Sequence, residues 1–178
     1  MMKPALFIDR DGTLNYNCPY CRNENEIKIY KDIFTPLKYL SRNYYIIIIT
    51  NQSGIARKYF KLEDLRKMNN KIIKGIRKHG GNVDAIYFCP HLPQEKCNCR
   101  KPKIGMIKKA CKDFEIDLTR SFIIGDDDKD IKLAKNVNVK SIRIRSKGSL
   151  KSDFFAEDFY DVLDIIKKGC NSGHTQKK

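Results

Sequence analysis

The chain has no tryptophan, only 6 alanines and 3 histidines in 178 residues, and 21 acidic side chains against 36 basic ones. No apolar run approaches the roughly 20 residues needed to cross a bilayer as a helix. The longest, Tyr44–Ile49, is of strand length. The opening Met-Met-Lys-Pro lacks the apolar core of a secretion signal. Internal repeats are also missing, which excludes solenoids and propellers. These absences exclude a membrane-spanning helix and lead to the expectation of a soluble, cytoplasmic protein. At 41% hydrophobic residues the chain can bury a core, so wholesale disorder is excluded as well. Its length suits one compact domain.

The net charge of +15 points toward a polyanion. Its make-up weakens that reading. Lys outnumbers Arg 26 to 10, and Lys, Ile and Asn together supply 62 of the 178 residues. That is the signature of compositional bias. Arg, the better residue for bidentate phosphate contacts, is not enriched. Both readings stay open: compositional bias, or a real surface for nucleic acid.

Seven cysteines remain to be placed: Cys18, Cys21, Cys89, Cys97, Cys99, Cys111 and Cys170. Their odd number and the lack of a secretion signal argue against a disulfide framework. Cys89, Cys97 and Cys99 crowd around His91. Three thiolates and an imidazole at these paired short spacings form a tetrahedral structural zinc set, with no ligand position left for water.

Apolar runs and helical stripes alternate. Strands are predicted at Ala5–Asp9, Tyr44–Thr50, Asp84–Phe88, Ser121–Gly125 and Ser141–Arg145. Helices are predicted at Phe34–Arg42, along the stripe Leu62, Leu65, Met68, Ile72, Ile73 and Ile76, and at Met106–Phe114, Asp128–Asn136 and Phe159–Lys168. This order predicts an α/β fold, a Rossmann-like parallel sheet with helices on both faces. Residues 1–168 make the domain, with a zinc loop at 89–99; residues 169–178 are expected to form a disordered tail. Most of the 18 Tyr and Phe residues are expected in the core, with Phe154, Phe155, Phe159 and Tyr160 packing the last helix on the sheet. His79 and His174 are expected to be solvated.

Ligands of such folds sit beyond the carboxyl ends of the strands. The suggestive residues fall there. Asp9 ends the first strand within Asp9-Arg-Asp11-Gly-Thr-Leu14, and alternate residues of an extended segment point the same way. Two carboxylates so placed repel unless a cation or a proton intervenes. Thr50-Asn51-Gln52-Ser53-Gly54 ends the second strand with hydroxyls, amides and free N–H groups, an anion cradle. Asp126, in Gly125-Asp126-Asp-Asp-Lys-Asp130, ends the fourth and is positioned to meet Asp9; some of the neighbouring acids are helix caps.

This combination resembles the haloacid dehalogenase superfamily of phosphotransferases. Phe7–Asn15, Thr50–Arg57, Cys89-Pro-His-Leu-Pro93, Cys97-Asn-Cys-Arg-Lys-Pro102 and Gly105-Met106 resemble its heptose-bisphosphate and histidinol-phosphate phosphatase branch, over residues 5–166. The resemblance implies that Asp9 is a nucleophile forming an aspartyl-phosphate. Asp11 becomes the general acid and base. Mg²⁺ sits between Asp9, the Asp11 carbonyl and Asp126. Thr50 and Lys101 hold the transferring phosphoryl group. Arg100 reaches the substrate, and Asp130 orders the site. Asn17, Cys18, Pro19 and Tyr20, with Asn51, Gln52 and Ser53, contact the substrate. Arg57, Arg100, Lys101 and Lys103 lie on segments facing the phosphate.

Cys18-Pro-Tyr-Cys21 departs from the branch pattern. A redox dithiol, a second metal site with Cys111 or Cys170, and a loop that only contacts substrate all stay open. The spacings between Asp9, Thr50 and Lys101 leave no room for a large cap domain, so an open site is expected. The implied activity is a magnesium-dependent phosphatase for a small sugar bisphosphate, most like the 7-phosphatase of D-glycero-D-manno-heptose 1,7-bisphosphate. The alternatives are histidinol phosphate, the 3′-phosphate of a nucleic-acid end, and a non-enzymatic zinc module that binds polyanions. The small uncapped fold suggests a monomer.

Overall fold

Ala5–Ile8 forms the first strand, β1, of a computed structural model that describes residues 2–171. Its neighbour β2, Tyr45–Asn51, carries four consecutive isoleucines. Their branched side chains fit a pleated strand and leave it apolar on both sides. Leu6, Ile8, Ile46 and Ile48 face one layer of the core; Ala5, Phe7, Ile47 and Ile49 face the other. The remaining strands are β3 (Ala85–Cys89), β4 (Phe122–Gly125), β5 (Lys140–Ile144) and β6 (Phe154–Ala156). All pair in parallel, in the order β3-β2-β1-β4-β5-β6.

Helices α1 (Phe34–Asn43), α2 (Leu62–Lys78) and α5 (Phe159–Asn171) cover the first layer. The short helices α3 (Gly105–Asp113) and α4 (Asp128–Asn136) cover the second. Leu65, Met68, Ile72 and Ile76 of α2 are buried, while Leu62 at its start is exposed. Only α2 lies between β2 and β3, and only a loop with two single-turn 3-10 helices and α1 separate β1 from β2, so no cap domain is inserted. Among the described residues, no helix is long and apolar enough to cross a membrane.

Three differences from expectation have local causes. Tyr44 closes α1 by donating its N–H to the Leu40 carbonyl at 2.9 Å, so β2 starts one residue later. β6 escapes pattern reading because it is a three-residue edge strand; Asp153 tethers it by accepting from the N–H and hydroxyl of Ser141, both at 2.7 Å. Its Phe155 points outward, as does Tyr160, whereas Phe159 is fully buried. α5 runs through Gly169 to Asn171. The rest of the expected tail, residues 172–178 with His174, lies outside the described residues.

β1 occupies the switch point. From it the chain winds outward to β2 and β3, then returns to β4 on the other side. The crevice beyond the carboxyl ends of β1, β2 and β4 is where such sheets bind ligands.

Candidate active site

Asp9 follows β1 directly, and its N–H extends the ladder to the Ile124 carbonyl at 2.9 Å. Asp126 follows β4 in the same way. One carboxylate oxygen from each of Asp9, Asp126 and Asp130 falls within 4.8 Å of the others. Between them the chain turns at Gly12, φ +81°, where a Cβ would overlap the Asp126 carboxylate. Thr13 donates its hydroxyl to that carboxylate at 3.4 Å. Burial, and then the neighbouring Asp9 charge, hold the Asp126 pKa above the usual carboxylate range. Crowded carboxylates that are costly to ionise together, open to a cleft, fit a hard divalent cation.

Asp11 reaches the same cleft with its carboxylate turned aside. Arg10 donates through Nε and Nη2, at 3.2 and 2.9 Å to either carboxylate oxygen. Asn15 donates at 3.0 Å and Gln52 at 2.8 Å. Arg10 is itself buried and anchored to Asn69 at 3.0 Å.

Lys101 is buried behind Asp9 rather than on the cleft wall. Its ammonium lies 2.8 Å from Asp9 Oδ1, 2.7 Å from Asp130 Oδ1 and 3.0 Å from the Ile49 carbonyl. The ammonium is thus enclosed by two carboxylates and a carbonyl. Burial disfavours the charge, but Asp130 and Asp9 outweigh it and raise the Lys101 pKa. Asp130 thus serves as the counter-ion of Lys101, and it also closes the α4 capping box with Asp127.

The cleft holds about 310 Å³ and is lined by Asp9, Asp11, Asp126, Asn17–Cys21, Thr50–Gly54, Phe60, Arg100 and Lys129, among others. Apart from Lys101, every residue expected to contact substrate is on this wall. Two of them also have structural duties. The Asn51 amide pairs with the Lys101 backbone in both directions, at 3.0 and 3.2 Å. Gln52 bridges Asp11 to the Thr50 hydroxyl, at 2.8 Å to each. Of the cations expected at the site, Lys103 turns away to the Cys97 carbonyl, and Arg57 lies over the Tyr20 ring.

Beside the cleft, Cys89 ends β3 and meets His91, Cys97 and Cys99. Cys89 Sγ lies 3.7 Å from Cys97 Sγ and 3.5 Å from His91 Nδ1, and that nitrogen is 3.2 Å from Cys99 Sγ. Burial pushes the Cys89 thiol up to about 12. Burial also opposes the charge on Cys97, yet the Arg100 N–H brings that thiol below its usual value. One inward-facing donor from each residue, all within 4.8 Å, fits a four-coordinate ion. The same loop carries Arg100 to the cleft, where Arg100 Nη1 donates to the His91 carbonyl at 3.2 Å.

The model of the family described as polynucleotide kinase 3 phosphatase matches residues 6–160. The chain belongs to that family. Its relatives name the chemistry. One, called "Probable D-glycero-D-manno-heptose-1,7-bisphosphate 7-phosphatase" in Thermoplasma acidophilum, is 48% identical over 137 residues, 76% of this chain and 86% of its own. The D-glycero-beta-D-manno-heptose-1,7-bisphosphate 7-phosphatase of Helicobacter pylori is 39% identical over 168 residues, 92% of this chain and 97% of its own. Among solved structures, the D,D-heptose 1,7-bisphosphate phosphatase of B. bronchiseptica, complexed with magnesium and phosphate, superposes with a TM-score of 0.85. It is 26% identical, and the match covers 94% of this chain and 99% of that one. The protein is a phosphatase of the haloacid dehalogenase type.

Sequence reasoning missed one cation of this phosphatase. Lys129 lines the cleft and pairs with Asp127 at 2.8 Å. Burial opposes its charge, but Asp9 and Asp130 raise its pKa. It stands inside the quoted Gly125–Asp130 motif, and the only available signal was a lone Lys among capping acids. Two of the five basic residues in 140–151 are engaged inside the fold. Arg143 turns inward to the Asp126 carbonyl at 3.1 Å and to the Asp128 carboxylate. Arg145 pairs with Asp32 at 2.6 Å and covers the Tyr30 ring. Cys18 and Cys21 are bonded to each other, on the opposite side of the sheet from the helix that carries Cys111.

Proposed function

We propose that this phosphatase is a magnesium-dependent sugar-bisphosphate phosphatase that forms an aspartyl-phosphate on Asp9, and that its substrate is D-glycero-D-manno-heptose 1,7-bisphosphate. The observation that carries the mechanism is the Asp9 carboxylate itself. It is aimed by Lys101 and the Arg10 N–H, the latter at 2.7 Å, and opens onto an uncapped cleft with Asp126 alongside. The relatives' names support the substrate.

Asp9 attacks phosphorus, and the sugar alkoxide leaves with a proton from Asp11. Water then attacks the acyl phosphate, Asp11 takes its proton, and phosphate departs. Thr50, Arg100 and Lys129 receive the phosphoryl oxygens, and buried Lys101 keeps positive charge behind the reacting centre. Asp9, Asp126 and the Asp11 carbonyl would hold Mg²⁺, which supplies charge neutralisation where carboxylate meets phosphate. Cys89, His91, Cys97 and Cys99 would hold a structural Zn²⁺ that fixes the Arg100–Lys101 segment. Residues 1–168 act as one phosphatase domain in this reading.

Two predictions follow from the metals. Gly12→Ala places a methyl group where the Asp126 carboxylate lies, at a backbone angle that disfavours it. The Mg²⁺ needed for half-maximal activity should rise about 10–100-fold, as a magnesium titration reads. Cys97→Ser should lose zinc and melt at lower temperature, because structural metal binding is folding energy. Metal analysis beside a melting curve checks this, and unchanged melting in zinc-free protein contradicts it.

The substrate is tested by comparing kcat/KM for heptose 1,7-bisphosphate, histidinol phosphate and a 3′-phosphorylated oligonucleotide, all with Mg²⁺. The sugar bisphosphate should lead by at least an order of magnitude. The family's description and the open cleft justify the oligonucleotide arm. A lead for the oligonucleotide, with binding that weakens steeply in salt, would overturn the sugar reading.

A further inference from the structure

Cys18, Pro19, Tyr20 and Cys21 form one wall of the cleft, and the two sulfurs are bonded across a Cα separation of 5.5 Å. The four residues make a tight turn. The Cys21 N–H donates to the Cys18 carbonyl at 3.2 Å, Pro19 takes the second position, and Tyr20 sits at φ +59°. This is the arrangement of a type II turn, whose third position ordinarily belongs to glycine or asparagine. A tyrosine there is disfavoured by its Cβ. Something outside the turn's own preference therefore holds it.

Two things do. One is the sulfur link. The other is the Tyr20 ring, which meets Tyr59 edge-on at 4.9 Å and lies 5.7 Å from the Arg57 guanidinium. Tyr59 and Arg57 belong to the segment that supplies Ser53, Gly54 and Phe60 to the facing wall. The Tyr20 ring thus ties the two walls together at the mouth. The base of the loop is secured separately. Tyr16 N–H donates to the Lys28 carbonyl at 2.9 Å, and Tyr30 N–H to the Leu14 carbonyl at 3.0 Å. The link closes so short a loop that it restricts few unfolded conformations, so it adds little as a staple.

We propose that Cys18 and Cys21 are a thiol–disulfide couple that reacts with small disulfides such as oxidised glutathione and sets whether this wall of the substrate cleft is formed. Cys18 is partly exposed and Cys21 is buried, which orders the steps. The Cys18 thiolate attacks the small disulfide, breaks its S–S bond and expels one small thiol. The Cys21 thiolate then attacks the Cys18 sulfur of the mixed disulfide and expels the second. The protein loses two S–H protons and two electrons; the reactant leaves as two thiols. Excess thiol runs the steps backwards. In the dithiol state Tyr20 relaxes to negative φ and its ring leaves Tyr59 and Arg57, so the wall opens.

The proposal rests on the phosphatase reading for its kinetic readout but not for its second readout. The full chain with Mg²⁺ is equilibrated in glutathione buffers from reduced to oxidised. Alkylation and intact mass count its free thiols, and zinc content is followed alongside. KM for heptose 1,7-bisphosphate should be about 5-fold lower in the oxidised form, the scale of pre-ordering one or two side chains, with kcat within about twofold. The double variant C18S/C21S should show the high KM in every buffer. Amide exchange in residues 16–22 should be faster in the reduced wild type and in that variant. Equal KM and equal exchange in both states would overturn the proposal, as would thiols at 18 and 21 that stay free in oxidised buffer. If no phosphate ester turns over in either state, the function reading fails, and exchange alone decides the couple.

Discussion

Asp9→Asn is expected to abolish turnover, lowering kcat by about 10⁴-fold or more, as loss of a covalent nucleophile does elsewhere. The variant should fold. The asparagine oxygen still accepts from the Arg10 N–H, and Lys101 keeps Asp130 and the Ile49 carbonyl as partners. The residue sits at the end of β1, where the ladder bond to Ile124 belongs to the backbone and survives the change. A melting temperature near that of the wild type, together with activity below detection, is the expected pair of results. Full activity in the variant would remove Asp9 from the chemistry.

Lys101→Met is expected to cost both stability and catalysis. The residue is 3% exposed, and its ammonium lies against two carboxylates and one carbonyl. Methionine fills much the same volume and leaves the Asp9 and Asp130 carboxylates without their shared cation. Breaking a buried pair from one side costs about 3–5 kcal/mol. For a domain of this size that lowers Tm by roughly 6–20 °C. Losing a preorganised cation beside the reacting phosphoryl group should lower kcat by a further ~10²–10³-fold in whatever remains folded. The companion variant Asp130→Asn should destabilise without an equal loss in kcat, because Asp130 also closes the α4 capping box and does not line the cleft. Urea titration and kcat measured on the folded fraction separate the two effects. Equal kcat losses for both variants would show that Lys101 matters only as a structural cation.

The strand-end motifs were legible because two local signals coincide there. Apolar runs such as Ile46–Ile49 fix where strands stop, and acids or hydroxyls follow at once in Asp9, Thr50 and Asp126. The Cys89–Cys99 cluster was legible because ligand spacing is itself local. What failed to show had tertiary causes. Asn51 and Gln52 read as substrate ligands, yet their amides also hold Lys101 and Asp11, partners far away in sequence. Lys101 read as a phosphate ligand, but only the fold places Asp9, Asp130 and Ile49 around its ammonium and withdraws it from the cleft wall. Lys129 disappeared among capping acids, and β6 was too short for alternation to register. The Cys18–Cys21 pair was visible as a spacing, but the sulfur bond and the Tyr20 bridge between two cleft walls depend on how separate loops meet.

The central claim is that the phosphoryl group passes onto Asp9. The most direct measurement is to quench the enzyme during turnover of its sugar bisphosphate, reduce it with borohydride and sequence the peptide around residue 9 by mass spectrometry. The account predicts homoserine in place of Asp9, formed from the acyl phosphate, and none in enzyme quenched without substrate. Turnover at the full rate with intact Asp9 in every quenched sample, or homoserine at another aspartate, would contradict it.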